Sequence, residues 1–512
     1  MDTTPSPAVG PQPDLLIVGS GIMGSLVASL VRAQAPHARI LMVEGGLPIG
    51  ATPGLHLHDV AEEEIWAEYN SAVSTGIQGF YAGAVPEPTR AGDPADLEPR
   101  VHLLSTLGED ADAMPMAAAA WNVGGMGAHW TAAVPWPAGE ECFDFGDPAR
   151  FARDLAVAQE ALHATSPSIG PTLPGRIVLE QLAAHYGART PIPREPQPMP
   201  MAFAPGGTGR HRVGPAVIFP PIGGASDDAF DLLTGHLAVE LLHDAGRVAG
   251  ARVRRTADDA EVIVHAAVTV VCADTFRTPQ LLHASGIRPA ALGRYVNEHA
   301  FLTGRVLLDL DRFGLSLEDL PTALPGEFCV DSLWLPHNGA AQPFHGQIMN
   351  STYVDEDGSP LGYGVGISLY VPIESRPENR VRFVDGESDL TGMPRFEIDF
   401  SYSDADRSAI SRARDEMATL FGLFGAFDPD TESALLPPGS SLHQTGTVRM
   451  GPVDDGTSVC DPDGRVWGFD NLFVAGNGVV PTAVVANATL TGAVTAVRAA
   501  NAAVRQLSVI PA

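Results

Sequence analysis

The sequence predicts an α/β fold built from two domains, and three observations support this prediction. Residues 14–46 contain a short apolar run, a glycine turn, a helical stretch and a second apolar run, which together form a βαβ unit. Between residues 301 and 436 apolar residues alternate with polar ones instead, as they do in an antiparallel sheet. The chain of 512 residues also exceeds the length at which a single hydrophobic core stops growing.

We expect the first domain to be discontinuous and the second to be inserted into it. The first domain would comprise residues 1–300 and 437–512, and the second, substrate-facing domain residues 301–436. Within the first domain, residues 46–115 are dominated by Gly, Pro and acidic residues. This composition predicts a loop-rich excursion that forms a lid or is partly disordered.

Segments far apart in the chain are expected to complete the first domain. Apolar runs at residues 237–255 and 262–274 indicate strands added to the sheet of the βαβ unit, and residues 278–287 indicate a helix. The periodicity of residues 489–507 indicates a last helix that closes against the βαβ unit. The sheet of the first domain would therefore be assembled from distant parts of the chain.

Composition and charge narrow the class of protein. Apolar residues form 45% of the chain and charged residues 18%, which is typical of a globular protein of enzyme size. The formal net charge of −30 disfavours binding to nucleic acid or to anionic membranes, because both need clustered cations. We therefore expect the ligand to be a neutral or cationic small molecule.

The cysteines and the N-terminal segment indicate a cytoplasmic location. The N-terminal segment lacks a basic start followed by an apolar run, and no stretch approaches the roughly 20 apolar residues of a membrane span. The four cysteines form neither a CxxC pair nor a dense framework, as expected in a reducing compartment; they are Cys142, Cys272, Cys329 and Cys460. We predict a cytoplasmic protein.

The glycine turn of the βαβ unit predicts a dinucleotide site. Gly19, Gly21 and Gly24 stand between strand and helix, where they allow a tight turn and the close approach of a pyrophosphate to the helix N-terminus. Glu44 ends the second strand and is placed to accept hydrogen bonds from ribose hydroxyls. This carboxylate disfavours the 2′-phosphate of NADP. FAD and NAD share the fingerprint, so the motif alone is compatible with both.

Metal binding has little support in the sequence. Residues 56–59 place two histidines on one face of a strand, but no third ligand accompanies them. We predict no metal site.

Four further segments of the chain carry distinctive motifs: WNVGGMGAHWTAAVP at 121–135, TPQLLHASGI at 278–287, HQTGTVRMG at 443–451 and NLFVAGNGVVPTAVVANATLTG at 471–492. In this order they resemble the flavin-contacting loop, the second signature, the catalytic histidine segment and the closing motif of the glucose-methanol-choline (GMC) oxidoreductase family. The likeness implies a Rossmann-like FAD-binding domain and a substrate domain built on an antiparallel sheet.

Within this family the chain is most similar to the pyranose 2-oxidases and the bacterial glycoside 3-oxidases. The run His129-Trp130-Thr131 carries part of this likeness, and the rest comes from Asn487, since many other members have a second histidine there. The chain is short for the fungal pyranose oxidases, which favours the bacterial branch. The resemblance therefore implies oxidation of a sugar hydroxyl.

The resemblance implies that His443 and Asn487 form the catalytic pair. A neutral histidine suits the removal of a hydroxyl proton, because its ordinary pKa of about 6.5 lies near working pH. Asn487 would hold the hydroxyl oxygen and orient the C–H bond toward the flavin, which carries the redox chemistry. O2 would then collect the electrons and leave as hydrogen peroxide.

The resemblance also implies a set of flavin contacts. Gly125 belongs to the flavin-contacting loop, Thr131 would lie near the flavin and the substrate, and Asn477 matches a position beside the ribityl chain and the pyrophosphate. His129 occupies the position at which pyranose 2-oxidases link a histidine covalently to the flavin. A covalent bond and simple packing of His129 are both compatible with the sequence, and we expect non-covalent FAD.

We predict that the protein oxidises a secondary sugar hydroxyl, at C3 of a C-glycoside or another glycoside, to a ketone. Oxidation of free pyranoses at C2 and a sugar dehydrogenase with another electron acceptor are the nearest alternatives. A lyase of the same fold, in which the substrate does not reduce FAD, is a third. A non-catalytic flavin-binding protein would be expected to lack the His443–Asn487 pair, which this sequence retains.

Overall fold

The computed structural model describes residues 12–74, 97–165, 169–187, 194–204, 211–322, 327 and 329–509. Its helices, in chain order, are α1 (Ile22–Gln34), α2 (Glu63–Ser74), α3 (Pro148–Ala161), α4 (Leu173–Tyr186), α5 (Pro215–Ile218), α6 (Asp274–Ala284), α7 (Asp404–Gly422), α8 (Pro429–Glu432) and α9 (Thr489–Ser508).

The strands are mostly short in the first 235 residues and longer after them. In chain order they are β1 (Leu15–Val18), β2 (Ile40–Glu44), β3 (Val101–Leu103), β4 (Ala118–Ala120), β5 (Ala164–Thr165), β6 (Gln197–Pro198), β7 (Met201–Ala204), β8 (His211–Arg212), β9 (Phe230–Thr234), β10 (His236–Asp244), β11 (Arg247–Arg255), β12 (Glu261–His265), β13 (Val268–Val271), β14 (Ala300–Leu307), β15 (Asp331–Leu335), β16 (His345–Val354), β17 (Pro360–Val371), β18 (Arg380–Ser388), β19 (Pro394–Asp399), β20 (Ser433–Leu435) and β21 (Leu472–Val474).

A five-stranded parallel sheet confirms the predicted βαβ unit and its discontinuous assembly. The strand order is β21-β13-β1-β2-β9, and each neighbouring pair is parallel. All four side chains of β1 are buried, which explains why this strand is apolar throughout rather than alternating. The last helix, α9, packs against α1 as the sequence predicted.

The prediction that residues 237–255 extend the parallel sheet was wrong. They form β10 and β11, which pair with β12 in a separate antiparallel sheet of three strands. Ala245 and Gly246 both have positive φ angles, 46° and 81°, as a two-residue hairpin turn requires. This turn folds β10 directly back onto β11, whereas a parallel neighbour would need a long crossover. Of the second segment, β13 joins the parallel sheet.

A six-stranded antiparallel sheet confirms the prediction that the region after residue 300 contains an antiparallel sheet. Its order is β20-β14-β17-β16-β15-β6, and α7 packs on it through Ile410, Met417 and Leu420. Strands β18 and β19 pair separately. One strand, β6, comes from outside the predicted range 301–436, and the domain boundaries stay a prediction.

The predicted excursion at residues 46–115 has little regular structure beyond α2 and β3 where it is described. Residues 75–96 of that excursion lie outside the described residues. Cys142, Cys272 and Cys460 are free thiols. In the parts of the chain that the structure describes, no helix is both long enough and apolar enough to cross a membrane.

Candidate active site

The glycine turn after β1 is shaped by close backbone contacts. A Cβ atom on Gly19, whose φ is 101°, would lie 2.5 Å from the carbonyl oxygen of Cys272, and one on Gly24 would lie 2.0 Å from the carbonyl oxygen of Gly19. At Gly21, by contrast, the nearest atom to such a Cβ is 3.8 Å away, on Gly124. The turn is therefore tightly packed on both sides and open at its centre, which fits an approaching pyrophosphate.

Glu44 ties this turn to the loop predicted to contact the flavin. Its carboxylate accepts hydrogen bonds from the Ser20 amide (3.1 Å), the Ser20 hydroxyl (2.7 Å) and the Gly46 amide (2.9 Å). The Ser20 hydroxyl oxygen accepts in turn from the Gly124 amide, 2.9 Å away. The carboxylate thus lies at the end of β2 beside the turn, and burial raises the pKa of Glu44.

The loop at 122–131 lies directly over the turn. A Cβ on Gly125, whose φ is 51°, would be 3.4 Å from the Gly21 Cα atom, so these two predicted cofactor residues face each other. The Asn122 amide group donates to the Val123 carbonyl (2.9 Å), which directs its Oδ1 toward His129. His129 Nε2 lies 2.9 Å from that Oδ1 and is the donor.

The surroundings of His129 keep its imidazole neutral. Burial lowers the pKa of His129 to about 4. Thr131 is half-buried and follows two residues later, just before Ala132, whose φ of 65° marks the end of the loop.

Asn477 has a buried amide oxygen without a hydrogen-bond partner among the described residues. It opens the short helical turn Asn477–Val479, and a Cβ on Gly492 of α9 would lie 2.1 Å from its Oδ1. The neighbouring Gly476 faces Met23 of α1, since a Cβ there would be 3.4 Å from the Met23 Cγ. Together with the open centre of the glycine turn, this orphaned acceptor fits a bound dinucleotide that spans both segments.

The two predicted catalytic residues, 44 positions apart in the sequence, are direct neighbours in the structure. The Asn487 side-chain amide donates to Nε2 of His443 over 3.2 Å and to Oε1 of Gln347 over 3.3 Å. Asn487 is 4% exposed, and its Oδ1 has no partner among the residues that the structure describes. Burial lowers the pKa of His443 to about 3, so the imidazole is neutral and able to accept a proton.

A layer of aromatic and polar side chains from the antiparallel sheet covers this pair. Gln347 on β16 accepts a hydrogen bond from the Tyr370 hydroxyl of β17 over 2.6 Å. His345 stacks on Tyr370 with ring centroids 5.0 Å apart and accepts at Nδ1 from the Trp334 indole N–H, 3.0 Å away. Its Nε2 consequently carries a hydrogen, and within the described residues that buried donor has no acceptor.

Two buried carboxylates hold the segments that carry the catalytic pair. Glu298 accepts from the amides of Gly439 (2.6 Å) and Ser441 (3.0 Å) and from the Ser441 hydroxyl (2.5 Å), in the loop that leads to His443. Glu141 accepts from the amides of residues 485 and 486, at 3.0 and 3.3 Å, immediately before Asn487. Each carboxylate thereby limits the movement of one residue of the predicted catalytic pair.

Replacing Glu298 with glutamine is expected to flatten the pH dependence of stability. Burial raises the pKa of Glu298 to about 7 from its ordinary 4.5, so the folded state binds this proton more tightly than the unfolded chain does. The resulting stabilisation is complete below about pH 4.5 and is lost as pH rises through about 7. Between about pH 5 and 8 the melting temperature of the unsubstituted protein should therefore fall more than that of Glu298→Gln.

The difference between the two melting curves isolates this carboxyl group. Glu109, whose pKa burial raises to about 8, is present in both proteins and cancels in the comparison. Parallel pH profiles for the two proteins would contradict the assignment.

The histidines at 56–59 serve other contacts. His56 Nε2 lies 2.7 Å from the Trp130 carbonyl oxygen, and His58 Nδ1 lies 2.9 Å from the Asp59 carboxylate. No group of three or more His, Cys, Asp or Glu side chains within the described ranges is arranged to hold a metal ion.

Sequence reasoning missed His299, Gln347 and Tyr370, which contact the predicted catalytic pair, and Glu141 and Glu298, which hold the segments that carry it. One signal was available: the polar run Asn297-Glu298-His299 stands between the apolar residues Val296 and Ala300, just before β14. All three side chains are buried, and buried polar groups need partners. Gln347 and Tyr370 lie in an ordinary alternating strand pattern and gave no signal.

Family models described as GMC oxidoreductase match residues 223–301 and 375–496 of this chain. The first match includes the Asn297-Glu298-His299 run, and the second includes both His443 and Asn487.

Curated relatives align along nearly the full chain. A C-glycoside 3-oxidase of Microbacterium trichothecenolyticum is 35% identical, with 96% of this chain and 96% of the relative covered. A C-glycoside 3-oxidase of Arthrobacter globiformis is 36% identical, covering 97% and 95%. A pyranose 2-oxidase of Emericella nidulans is 25% identical, covering 96% and 92%.

Solved structures share the fold at low sequence identity. Pyridoxine 4-oxidase from Mesorbium loti superposes with a TM-score of 0.63 at 17% identity, covering 96% of this chain and 99% of the other. A formate oxidase variant of Aspergillus oryzae gives a TM-score of 0.63 at 16% identity, covering 98% of each chain. At these identities the likeness establishes the fold alone.

Proposed function

Because this chain belongs to the GMC oxidoreductase family, we propose that it oxidises a secondary hydroxyl group of a glycoside, at C3 of the sugar ring, to a ketone. The observation that carries this proposal is the His443–Asn487 pair, whose side chains lie 3.2 Å apart. The names of the two relatives at 35 and 36% identity indicate the substrate class and the position oxidised.

The enzyme is a FAD-dependent oxidoreductase. Gly19, Gly21 and Gly24 would hold the pyrophosphate, and Glu44 the ribose. The other residues assigned to the flavin site are Gly125, His129, Thr131 and Asn477. The chemistry that FAD would supply when bound is the acceptance of a hydride from the carbinol carbon.

His443 is proposed to remove the hydroxyl proton of the substrate. Its Nε2 is the unprotonated nitrogen, because the Asn487 amide donates to it. His443 would take the hydroxyl proton at Nε2, and the two electrons lost by the alcohol would leave with the hydride that FAD accepts, which balances the oxidation to a ketone. Asn487 would hold the hydroxyl oxygen during this step and orient the C–H bond.

The walls around this pair suit a polyhydroxylated substrate. The Asn487 Oδ1 acceptor and the His345 Nε2 donor are buried and have no hydrogen-bond partner within the described parts of the chain. A buried polar atom costs about 1–3 kcal/mol when it stays unpaired, so hydroxyl groups that satisfy both atoms would bind favourably.

An anaerobic screen of sugars tests the proposed function. C- and O-glycosides and free pyranoses are mixed with the oxygen-free holoenzyme, and the flavin absorbance and the keto position of the product are recorded. We expect glycosides to bleach the flavin and to give 3-keto products. A 2-keto product from free sugars would favour the pyranose 2-oxidase alternative, and no bleaching with any sugar or glycoside would exclude sugar oxidation.

We propose O2 as the electron acceptor. Turnover in air should then release one hydrogen peroxide per ketone, measured with a peroxidase-coupled dye. Reoxidation by quinones or dyes but not by O2 would identify a dehydrogenase instead. The cytoplasmic location stays a prediction.

Acid precipitation of the holoenzyme is expected to leave FAD in the supernatant. The Nε2 atom of His129 donates to Asn122 and is not free to bond to the flavin in this arrangement. His129→Ala should release FAD in the same way, which is read from the absorbance of pellet and supernatant. A yellow pellet from the unsubstituted enzyme and a colourless one from His129→Ala would establish a covalent bond at His129.

A further inference from the structure

His299 connects the catalytic histidine to the protein interior. It immediately precedes β14 and is 2% exposed. Its Nε2 lies 3.1 Å from Nδ1 of His443, and its Nδ1 lies 3.4 Å from the carbonyl oxygen of Val484. The ring also stacks on Tyr370, with centroids 4.2 Å apart and planes 6° from parallel.

Val484, His299, His443 and Asn487 form a series of hydrogen bonds, and the groups at its two ends fix the direction of each bond. A carbonyl oxygen can only accept, so His299 carries its proton on Nδ1 and its Nε2 is an acceptor. His443 must then carry its proton on Nδ1 and donate to His299. This leaves Nε2 of His443 unprotonated, and that is the nitrogen to which Asn487 donates. The two ends therefore require the same tautomer.

We propose that His299 is a positioning residue that holds His443 in the tautomer whose unprotonated Nε2 faces the substrate. This inference rests on the proposed function, in which His443 takes the hydroxyl proton. His299 acts through His443 and itself contacts no reacting atom in this arrangement.

The second effect of His299 is to stabilise the imidazolium that forms on His443. After proton uptake His443 carries hydrogens on both ring nitrogens, and the one on Nδ1 remains directed at the neutral acceptor His299. His299 stays a neutral acceptor, because burial and the neighbouring His443 and His345 hold its pKa well below the ordinary value. Tyr370, which stacks on the His299 ring, is an uncharged phenol, since burial raises its pKa.

A purely structural role for His299 makes a different prediction. If the ring only fills space and stacks on Tyr370, then phenylalanine would replace it and glutamine would not. If the acceptor atom matters, then glutamine, whose Oε1 can accept from His443, preserves function and phenylalanine does not. The pair of variants His299→Phe and His299→Gln therefore separates packing from hydrogen bonding.

The first measurement is the anaerobic rate of flavin reduction by glycoside as a function of pH. We expect His299→Phe to slow reduction about 10- to 10²-fold, the value of one hydrogen bond to a charged group, with a shifted pH profile. The rate of flavin reduction in His299→Gln should stay within about threefold of that in the unsubstituted enzyme. Equal rates in the unsubstituted and Phe proteins, or equal impairment of Phe and Gln, would overturn the proposal.

The second measurement is independent of turnover. In FAD-bound protein labelled with ¹⁵N-histidine, the signals of His443 are assigned by their loss in His443→Ala. We expect a protonated Nδ1 and a bare Nε2 in the unsubstituted enzyme, and a protonated Nε2 signal only in His299→Phe. A protonated Nε2 in the unsubstituted enzyme would refute the proposal even if the Phe variant did not fold. If no glycoside reduces the unsubstituted enzyme, then the proposed function fails while the tautomer is still decided by this spectrum.

Discussion

His443→Ala is expected to slow anaerobic flavin reduction by about 10²- to 10⁴-fold, the usual contribution of a general base. The substitution removes the Nε2 atom that would receive the substrate proton, and no other described imidazole hydrogen-bonds to Asn487. FAD should remain bound, because the glycine turn and Glu44 belong to a different part of the chain. Stopped-flow absorbance of the flavin gives the rate, and the spectrum before mixing gives the occupancy.

The control for this variant is His37→Ala, which changes an exposed histidine beyond the end of α1. In this variant the flavin should be reduced by glycoside at the same rate as in the unsubstituted enzyme. If His443→Ala retained its rate of flavin reduction, then the base would have to be another residue. If instead His443→Ala lost FAD, then the side chain would be supporting the cofactor rather than the proton transfer.

Asn487→Leu is expected to slow flavin reduction by about 10²-fold or more, as the loss of a preorganised hydrogen-bond donor does in other enzymes. Leucine approximates the volume of asparagine but can neither donate to His443 nor hold the hydroxyl oxygen. Gln347 Oε1 would keep the hydrogen bond from the Tyr370 hydroxyl and lose the one from the amide of residue 487. The reduction rate at saturating glycoside should fall, because orientation of the C–H bond is lost in the bound state.

Asn501→Leu is the matched control for Asn487→Leu. Asn501 lies farther along α9 and accepts from Gln34 over 3.0 Å on an exposed surface. The same chemical change there should leave the reduction rate unchanged. If Asn487→Leu raised the Michaelis constant but left the reduction rate at saturating glycoside unchanged, then Asn487 would bind substrate without assisting the reaction.

Local sequence patterns were sufficient for the parts of the fold that depend on neighbouring residues. The glycine turn was predictable because a tight turn against Cys272 excludes any Cβ at Gly19. The last helix was predictable because its apolar face repeats with the helical period over twenty residues. The prediction that β10 and β11 belong to the parallel sheet was wrong, because the apolar residues of a strand do not specify which sheet it joins. The hairpin turn at Ala245–Gly246 determines that β10 pairs with β11.

The sequence by itself determined the fold class and the glycine turn after β1, and it singled out His443 and Asn487 as the proposed catalytic pair, because these depend on residue types at short spacings or on recognisable family segments. Only the tertiary structure decided which nitrogen of His443 is unprotonated. That depends on His299, which lies 144 positions earlier, and on Asn487, which lies 44 positions later. Hydrogen bonds act over about 3 Å, and no pattern along the chain records which distant side chains folding brings within that distance.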